Sequence, residues 1–357
     1  MYFDIRVKFL IYIAKHVPSP MKVTLKDIAE DTGLSISTVS RALSRTGTIS
    51  SKNEQKIFQS AQKLNYPLSN MDTPARLRKS IYVALITRFH PGEFYASFFD
   101  GFDNASKNSN VNFGLFSLSN RKESDLEMIL SLKNNLFDAA VIFLPSLSVN
   151  DYVEIIEKVG MDFPMISAAP MATPIMDTVA FDNYRGGHLV ARHFHEQGYK
   201  RLGIILGPSD KMEAQLRRNG LTDYAENNGM QIVWEYPTNY DLTEGQAAYD
   251  NFKTSKHKPE AIFCLNDALA VGFMQRAFKD GLKIPRDVAV ASYDDLPICQ
   301  YHHPTITSVH PDYTTLGQNI LKLLMDRMEL GADTAHTGFT RLVPVTLNVR
   351  ESSVKSG

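Results

Sequence analysis

Two hydrophobic periods divide this 357-residue chain. Between residues 24 and 64, apolar side chains recur three and four positions apart, the period of helices with one buried face. Leu25, Ile28 and Ala29 make the first stripe, Val39 and Ala42 the second, and Ile57, Ala61 and Leu64 the third. From residue 81 onward the pattern changes. Short apolar runs at 81–87, 112–117, 139–144, 164–168, 178–181, 201–206, 231–236, 261–265 and 288–292 read as strands. Amphipathic stretches between them, among them 94–109, 184–197, 212–228, 267–280 and 313–328, read as helices. Such alternation predicts parallel sheets covered by helices on both faces. So many strands exceed one comfortable sheet, so two α/β lobes with a ligand cleft between them are expected.

The helical segment is punctuated where helices should start and stop. Thr24-Leu25-Lys26-Asp27 looks like a capping box, and Asp27 suits the positive end of a helix. Gly33 stands where a left-handed residue turns the chain, and Ser35 is a natural N-cap for the second helix. Ser50 caps the third, which ends near Asn65-Tyr66-Pro67. This register turns Ile36, Ser37, Thr38, Ser40 and Arg41 outward. Short side chains allow close approach to a major groove, hydroxyls meet phosphates or base edges, and an arginine takes guanine or phosphate. Residues 24–41 therefore predict a helix-turn-helix DNA reader. A three-helix bundle without nucleic acid is the plainer alternative.

Charge sharpens that reading. The net charge of −1 hides an asymmetry: residues 21–80 carry ten Lys+Arg and five Asp+Glu, residues 1–20 are net +2, and residues 81–357 are net −8. A basic small segment on an acidic large one predicts that only the first touches a polyanion, although a solvated charged face would look the same. A chain 43% hydrophobic and 22% charged is an ordinary soluble protein. Cys264 and Cys299 lack metal-like spacing and read as reduced thiols of a cytoplasmic protein. No apolar run approaches the ~20 residues of a membrane span. Within residues 1–20 the run KFLIYIA is short and no small-residue cleavage site follows. That segment reads as an extra N-terminal helix, or as an extension upstream of a start at Met21, with a signal peptide as the alternative.

The run TLKDIAEDTGLSISTVSRALS, continued by ISSKNEQKIFQSAQKLNY, resembles the headpiece of the lactose/galactose repressor (LacI/GalR) family. Phe181-Asp182-Asn183-Tyr184-Arg185-Gly186-Gly187, Phe263-Cys264-Leu265-Asn266-Asp267-Ala268 and Tyr293-Asp294-Asp295 are similar to its other recognisable stretches, so the resemblance spans about 22–350. It implies an N-terminal all-α, lambda-repressor-like helix-turn-helix domain at 21–68 and a hinge at 69–80. An α/β two-lobed periplasmic-binding-protein-like domain would follow at 81–350, for effector binding and dimerisation. Its lobes would take 81–181 with 296–335, and 182–295 with 336–350. By the same resemblance, Ile36 and Ser37 are the main base-reading pair. Thr24, Ser35, Thr38, Ser40 and Asn53 hold phosphates, and Arg41 sits over a base or the backbone. Ile36 suits a thymine methyl but offers no hydrogen bond. Family hinges form a helix that wedges a leucine into the minor groove. Here Pro74 interrupts the stretch and Asp72 adds a negative charge. Proline is tolerated in a first turn, and Leu77 would then be the wedge; a formed hinge helix and its absence both stay open.

Resemblance and chemistry together place the cleft. Asn266-Asp267 falls at the C-terminal end of a predicted strand, where α/β proteins bind ligands. A carboxylate at Asp267 would accept two sugar hydroxyls; a helix N-cap is the alternative. Arg217, three residues before Gly220, matches the family's effector-binding arginine, against an ordinary surface arginine. Phe94, Tyr95 and Leu242 fall where the family packs its effector, or else are plain core. Phe89, with Arg88 and His90, lines the same loop. Ala169 and Pro311 stand where members often carry polar residues, which predicts a less polar first-lobe wall and an unusual or larger saccharide.

The implied protein is a cytoplasmic homodimer that binds double-stranded operator DNA. It would repress genes of carbohydrate uptake or catabolism under control of a sugar or sugar derivative. No catalytic residue, cofactor, metal or membrane is implied. Walker, GxGxxG and GxSxG loops are absent, and His193/His195 and His302-His303 lack a metal layout. The rival class is a free-standing solute receptor, which would need a secretion signal and no DNA reader. A sugar kinase with a fused reader lacks its phosphate loop.

Overall fold

A computed structural model describes residues 23–43, 49–64, 66, 80–89, 92–107, 109–118, 122–135, 137–160, 162–330 and 338–355. The N-terminal extension and nearly all of the expected hinge, with Pro74 and Leu77, lie outside the described residues, as does His90. The chain divides into two units, one ending at Lys79 and one starting at Ser80.

The first unit packs three helices: α1 (Leu25–Thr32), α2 (Ile36–Leu43) and α3 (Ser51–Lys63). The Asp27 carboxylate accepts from the Thr24 amide at 2.7 Å and from the Thr24 hydroxyl at 2.8 Å, closing the first turn of α1. Gly33 ends α1 in the left-handed region, at φ 65°. A side chain there would be strained, so glycine sets the angle at which α2 departs. Ser35 caps α2, its Oγ accepting from the Thr38 amide at 3.1 Å. Ile28, Val39, Ile57, Phe58 and Ala61 are fully buried and form the core. Burying such side chains contributes about 1.5–3 kcal/mol each, more than an eight-residue helix gains from its own propensity.

The second unit holds two six-stranded sheets. The strands are β1 (Ile81–Thr87), β2 (Val111–Ser117), β3 (Ala139–Phe143), β4 (Met165–Ser167), β5 (Thr178–Phe181), β6 (Arg201–Ile205), β7 (Gln231–Tyr236), β8 (Ala261–Cys264), β9 (Ala289–Tyr293), β10 (Thr307–Pro311), β11 (Thr340–Val343) and β12 (Val345–Asn348). The helices are α4 (Glu93–Ser106), α5 (Lys122–Asn135), α6 (Val149–Val159), α7 (Asn183–Glu196), α8 (Met212–Asn227), α9 (Leu242–Thr254), α10 (Asp267–Lys279), α11 (Ile298–Tyr301) and α12 (Tyr313–Leu330). The first lobe has strand order β11-β5-β4-β3-β1-β2 and the second β12-β10-β9-β8-β6-β7. All pairings are parallel except β10 with β12. Parallel strands covered on both faces are largely apolar, as in the fully buried Ala289–Tyr293, where Ser292 is satisfied by a hydrogen bond to Asp267.

This topology corrects the expected lobe boundaries. The segment 296–335 does not belong wholly to the first lobe, because β10 pairs with β9 in the second. Nor does 336–350 belong wholly to the second, because β11 pairs with β5 in the first. The chain crosses between lobes three times: after β5, after β10, and between β11 and β12. Strand β10 escapes a hydrophobic scan because Thr307 and Ser308 are fully buried polar residues. Among the described residues, no helix is long and apolar enough to cross a membrane.

Candidate functional site

In the first unit, α2 carries an exposed face built from small side chains. Ser35, Ile36, Ser37 and Arg41 are exposed, and Thr38 and Ser40 are half-buried beside them. Ile36 is 49% exposed, so its side chain is free to meet a partner. The Ser35 hydroxyl lies 2.9 Å from that of Ser37 and 2.8 Å from that of Thr38. Arg41 Nε donates to the Ser37 carbonyl at 3.3 Å, which leaves the rest of its guanidinium outward. Thr24 stands exposed at the start of α1, and Asn53 sits in the first turn of α3. These groups form a shallow surface of hydroxyls with one cation and one exposed methyl-bearing side chain, fit to lie against an acidic polymer.

In the second unit, a cavity of about 410 Å³ opens between the two sheets. Its first-lobe wall is aromatic: Phe94, Tyr95 and Phe98 from α4, Phe143 at the end of β3, and Tyr313 from α12. Ala168 and Pro170 beside it add no hydrogen-bonding side chain; of the two residues expected to make this wall less polar, Pro311 lines the cavity from the end of β10 and Ala169 does not line it. Its second-lobe wall is polar: Glu213 and Arg217 on α8, Asn239, Tyr240 and Asp241 before α9, Asn266 before α10, and Asp294 after β9.

Arg217 organises that wall. It is buried, and its Nε donates to Asn183 Oδ1 at 2.9 Å while Nη1 donates to the Leu265 carbonyl at 2.6 Å. Asp294 faces it at 3.4 Å, and its guanidinium lies 3.5 Å from the centre of the Tyr293 ring. Burial pushes the Asp294 carboxyl up, and the Arg217 charge pulls it back. Asp294 and Asp295 both have positive φ, 105° and 46°. Two such non-glycine residues in succession store strain of about 1–3 kcal/mol each, a cost found mostly where side chains must be aimed. Here they aim Asp294 into the cavity and Asp295 at Arg350, 2.7 Å away.

Two glycines place α8. A Cβ on Gly187 of α7 would fall 2.0 Å from the Arg217 carbonyl, and one on Gly220 of α8 would fall 1.9 Å from the Tyr184 carbonyl. The helices cross backbone on backbone, and this close crossing sets the height of Arg217 in the wall.

Of the sequence-named cleft residues, Phe94, Tyr95 and Arg217 line the cavity. Three do not. Asp267 is fully buried beneath it: Oδ1 accepts from Ser308 Oγ at 2.8 Å and from Ser292 Oγ, and Oδ2 accepts from the Leu296 amide at 2.7 Å. Nor is Asp267 the helix cap. That role belongs to Asn266, whose Oδ1 accepts from the Leu269 amide at 2.9 Å. Leu242 opens α9 and packs into the second-lobe core, leaving the lining to Asp241. Phe89 is half-exposed and rests on Phe99 and Tyr95 outside the lining. Sequence reasoning missed Glu213, Tyr240 and Asp294. The strand-end rule that singled out Asp267 applies equally to Asp294, which follows β9 directly.

Burial also raises the hydroxyls around the site. Tyr240 and Tyr293 are both held well above an ordinary phenol by desolvation, partly offset by Arg217. Both therefore keep their protons at any physiological pH. Among the described residues, no group of three or more His, Cys, Asp or Glu side chains is placed to hold a metal ion.

Comparison with known proteins agrees with both halves of this geometry. Residues 24–67 match the profile of bacterial regulatory proteins of the lacI family, and residues 191–353 that of the periplasmic binding protein-like domain. The chain is 24% identical over 314 residues to the HTH-type transcriptional repressor PurR of Vibrio campbellii, covering 86% of this chain and 92% of that one. It is likewise 24% identical over 313 residues to PurR of Haemophilus influenzae, covering 85% and 91%. Among solved structures, the lac repressor dimer bound to operator and the anti-inducer ONPF superposes with TM-score 0.68 at 21% identity, covering 94% of this chain and all of that one. The CelR–cellobiose complex superposes with TM-score 0.65 at 21% identity, covering 93% and 100%. The chain thus carries a lacI-family helix-turn-helix domain ahead of a periplasmic-binding-protein-like domain, the pairing of its homologues among the LacI-family regulators, and is a DNA-binding regulator, not an enzyme.

Proposed function

We propose that the protein is a transcriptional repressor of carbohydrate uptake or catabolism genes, acting as a homodimer on a pseudo-palindromic operator and controlled by a sugar-like effector in the cleft. The observation that carries the sugar reading is the cavity's division of labour. One wall stacks aromatic rings, the other presents Arg217, Asn266 and Asp294, and a sugar ring has an apolar face and hydroxyl edges to match. The solved relative bound to cellobiose supports the same class. Phe94, Tyr95 and Arg217 would contact the effector, joined by Asn266 and Asp294. On the DNA side, Ile36 and Ser37 would meet base edges. Thr24, Ser35, Thr38, Ser40, Arg41 and Asn53 would meet phosphates and fix the register. The reading divides the chain into a DNA-binding domain at 21–68, a hinge at 69–80 that includes Leu77, and an effector-binding domain from 81 to about 350.

The test is a gel shift of the full chain against the DNA upstream of its own gene, repeated with a panel of sugars. The expected result is a complex that weakens steeply with salt and responds to one sugar class. Sugar binding by calorimetry with no DNA complex at low salt would instead mean a solute receptor.

A further inference from the structure

One carboxylate in the cleft keeps an oxygen with no internal partner. Glu213 lines the cavity one helical turn before Arg217, and its Oε2 is buried with no hydrogen-bond partner. The other acids of the lining are engaged. Asp294 faces Arg217, Asp241 caps α9 by accepting from the Thr243 amide at 2.7 Å, and Glu93 accepts from the Ile298 amide at 3.2 Å. Of the two cations in the lining, Arg217 is committed to Asn183, Leu265 and Asp294, while Lys211 sits 5.2 Å over the Tyr240 ring. Four carboxylates therefore meet two cations, and the unassigned charge of the wall is negative. The Tyr240 hydroxyl is a second buried lining group without a partner. A buried polar atom left unpaired is costly, so these two are expected to meet a ligand.

We propose that Glu213 sets the charge class of the effector: the cleft takes an uncharged or amine-bearing sugar whose hydroxyl or ammonium donates to Glu213, and it rejects phosphorylated sugars. This rests on the sugar-effector reading above. Glu213 accepts from the ligand and Tyr240 donates to it, which fixes one edge of the ring. The aromatic wall tolerates a cation on its faces but offers an anion nothing. A phosphate at that edge would stand against Glu213 in a site shielded from water. Desolvation raises the Glu213 carboxyl above its ordinary range, against the pull of the Arg217 charge, its own amide and Lys211.

The experiment compares the wild type with Glu213→Gln by calorimetry against cellobiose, glucose, glucosamine and glucose 6-phosphate. For the wild type, a neutral or amino sugar should bind roughly a hundredfold more tightly than its phosphorylated counterpart, the size of a desolvated like-charge clash. Glu213→Gln should narrow that gap by about tenfold or more and weaken glucosamine more than glucose. Equal or tighter binding of glucose 6-phosphate by the wild type would overturn the assignment while leaving the sugar reading intact. Failure of every sugar to bind would overturn both. A ligand-free arm tests the carboxyl itself. Because burial raises the Glu213 carboxyl above its ordinary value, Glu213→Gln should raise the melting temperature near pH 8, and the gain should shrink as pH falls through the ordinary carboxylate range toward about pH 4. An equal effect at both pH values would mean that Glu213 is not the desolvated group, and would also overturn the proposal.

Discussion

Ser308 donates to Asp267 at 2.8 Å inside the second lobe, and that bond makes a strand-end carboxylate part of the fold. Asp267 ties β10, through Ser308, to β9, through Ser292, and to the Leu296 amide beyond it. Replacing it with alanine strands three buried donors and opens a void. Asp267→Ala is expected to cost about 3 kcal/mol or more, measured as a lowered urea midpoint of the effector domain. Asp294→Asn keeps an acceptor near Arg217, so its fold should hold while sugar affinity falls by about tenfold or more. If Asp267→Ala left stability unchanged and abolished sugar binding alone, the roles of the two aspartates would be reversed.

The crossing of α7 and α8 supplies a second expectation. Any side chain at Gly187 meets the Arg217 carbonyl, backbone that cannot swing away. Gly187→Val should destabilise the second lobe by about 1–3 kcal/mol, the usual cost of overpacking. Because the obstructed residue is Arg217 itself, sugar affinity should fall further than the lost stability explains. Calorimetry at a temperature where the variant remains folded separates the two effects.

Much of this architecture was legible because parallel strands leave a continuous apolar signal. Strands β1 to β9 match the apolar runs to within a residue or two at each end. The last three strands were not legible. Strand β10 buries Thr307 and Ser308 behind hydrogen bonds to Ser352, Arg350 and Asp267, so its sequence looks polar while its environment is core. Strands β11 and β12 are four residues each and half-exposed, too short to show a period. Because those strands set the crossings, the lobe boundaries were misjudged with them. In the cleft, the choice of Asp267 over its neighbour Asn266 failed for a simple reason. Asn266, the N-cap, is in extended backbone and lines the cavity, whereas Asp267 opens the helix and turns into the core. Asp294 was hidden differently, since nothing in Tyr293-Asp294-Asp295 announces that both aspartates adopt positive φ.

His310 gives the second lobe a pH dependence near neutrality. Its Nδ1 lies 3.0 Å from Asp295 Oδ2, and that hydrogen bond raises the imidazole above its ordinary value. The protonated form is therefore favoured by folding. Its stabilisation is fully present below the unfolded value of about 6.5 and is lost as pH rises through the folded one. The side chain is 45% exposed, so solvent screening keeps the effect below about 1 kcal/mol. His310→Gln should flatten the stability profile just above pH 6.5, and NMR titration of the imidazole should show the raised midpoint directly. A midpoint at or below that of a free histidine would remove the effect.

The exposed face of α2 separates reading from folding. Ile36 is half-exposed and touches little of the core that Ile28, Val39 and Phe58 complete. Ile36→Ala should change the stability of the DNA-binding unit by no more than about 0.5 kcal/mol. If Ile36 packs against a thymine methyl, the same change should cost about 1–3 kcal/mol of discrimination at one operator position and leave non-specific affinity and its salt slope unaltered. Arg41→Ala should behave in the opposite way if it holds a phosphate, weakening all sequences alike and lowering the salt slope by about one. Binding curves at several salt concentrations on the operator and on a scrambled duplex distinguish these outcomes. Val39→Ala should do neither selectively, because it opens a cavity in the three-helix core and lowers affinity only through unfolding.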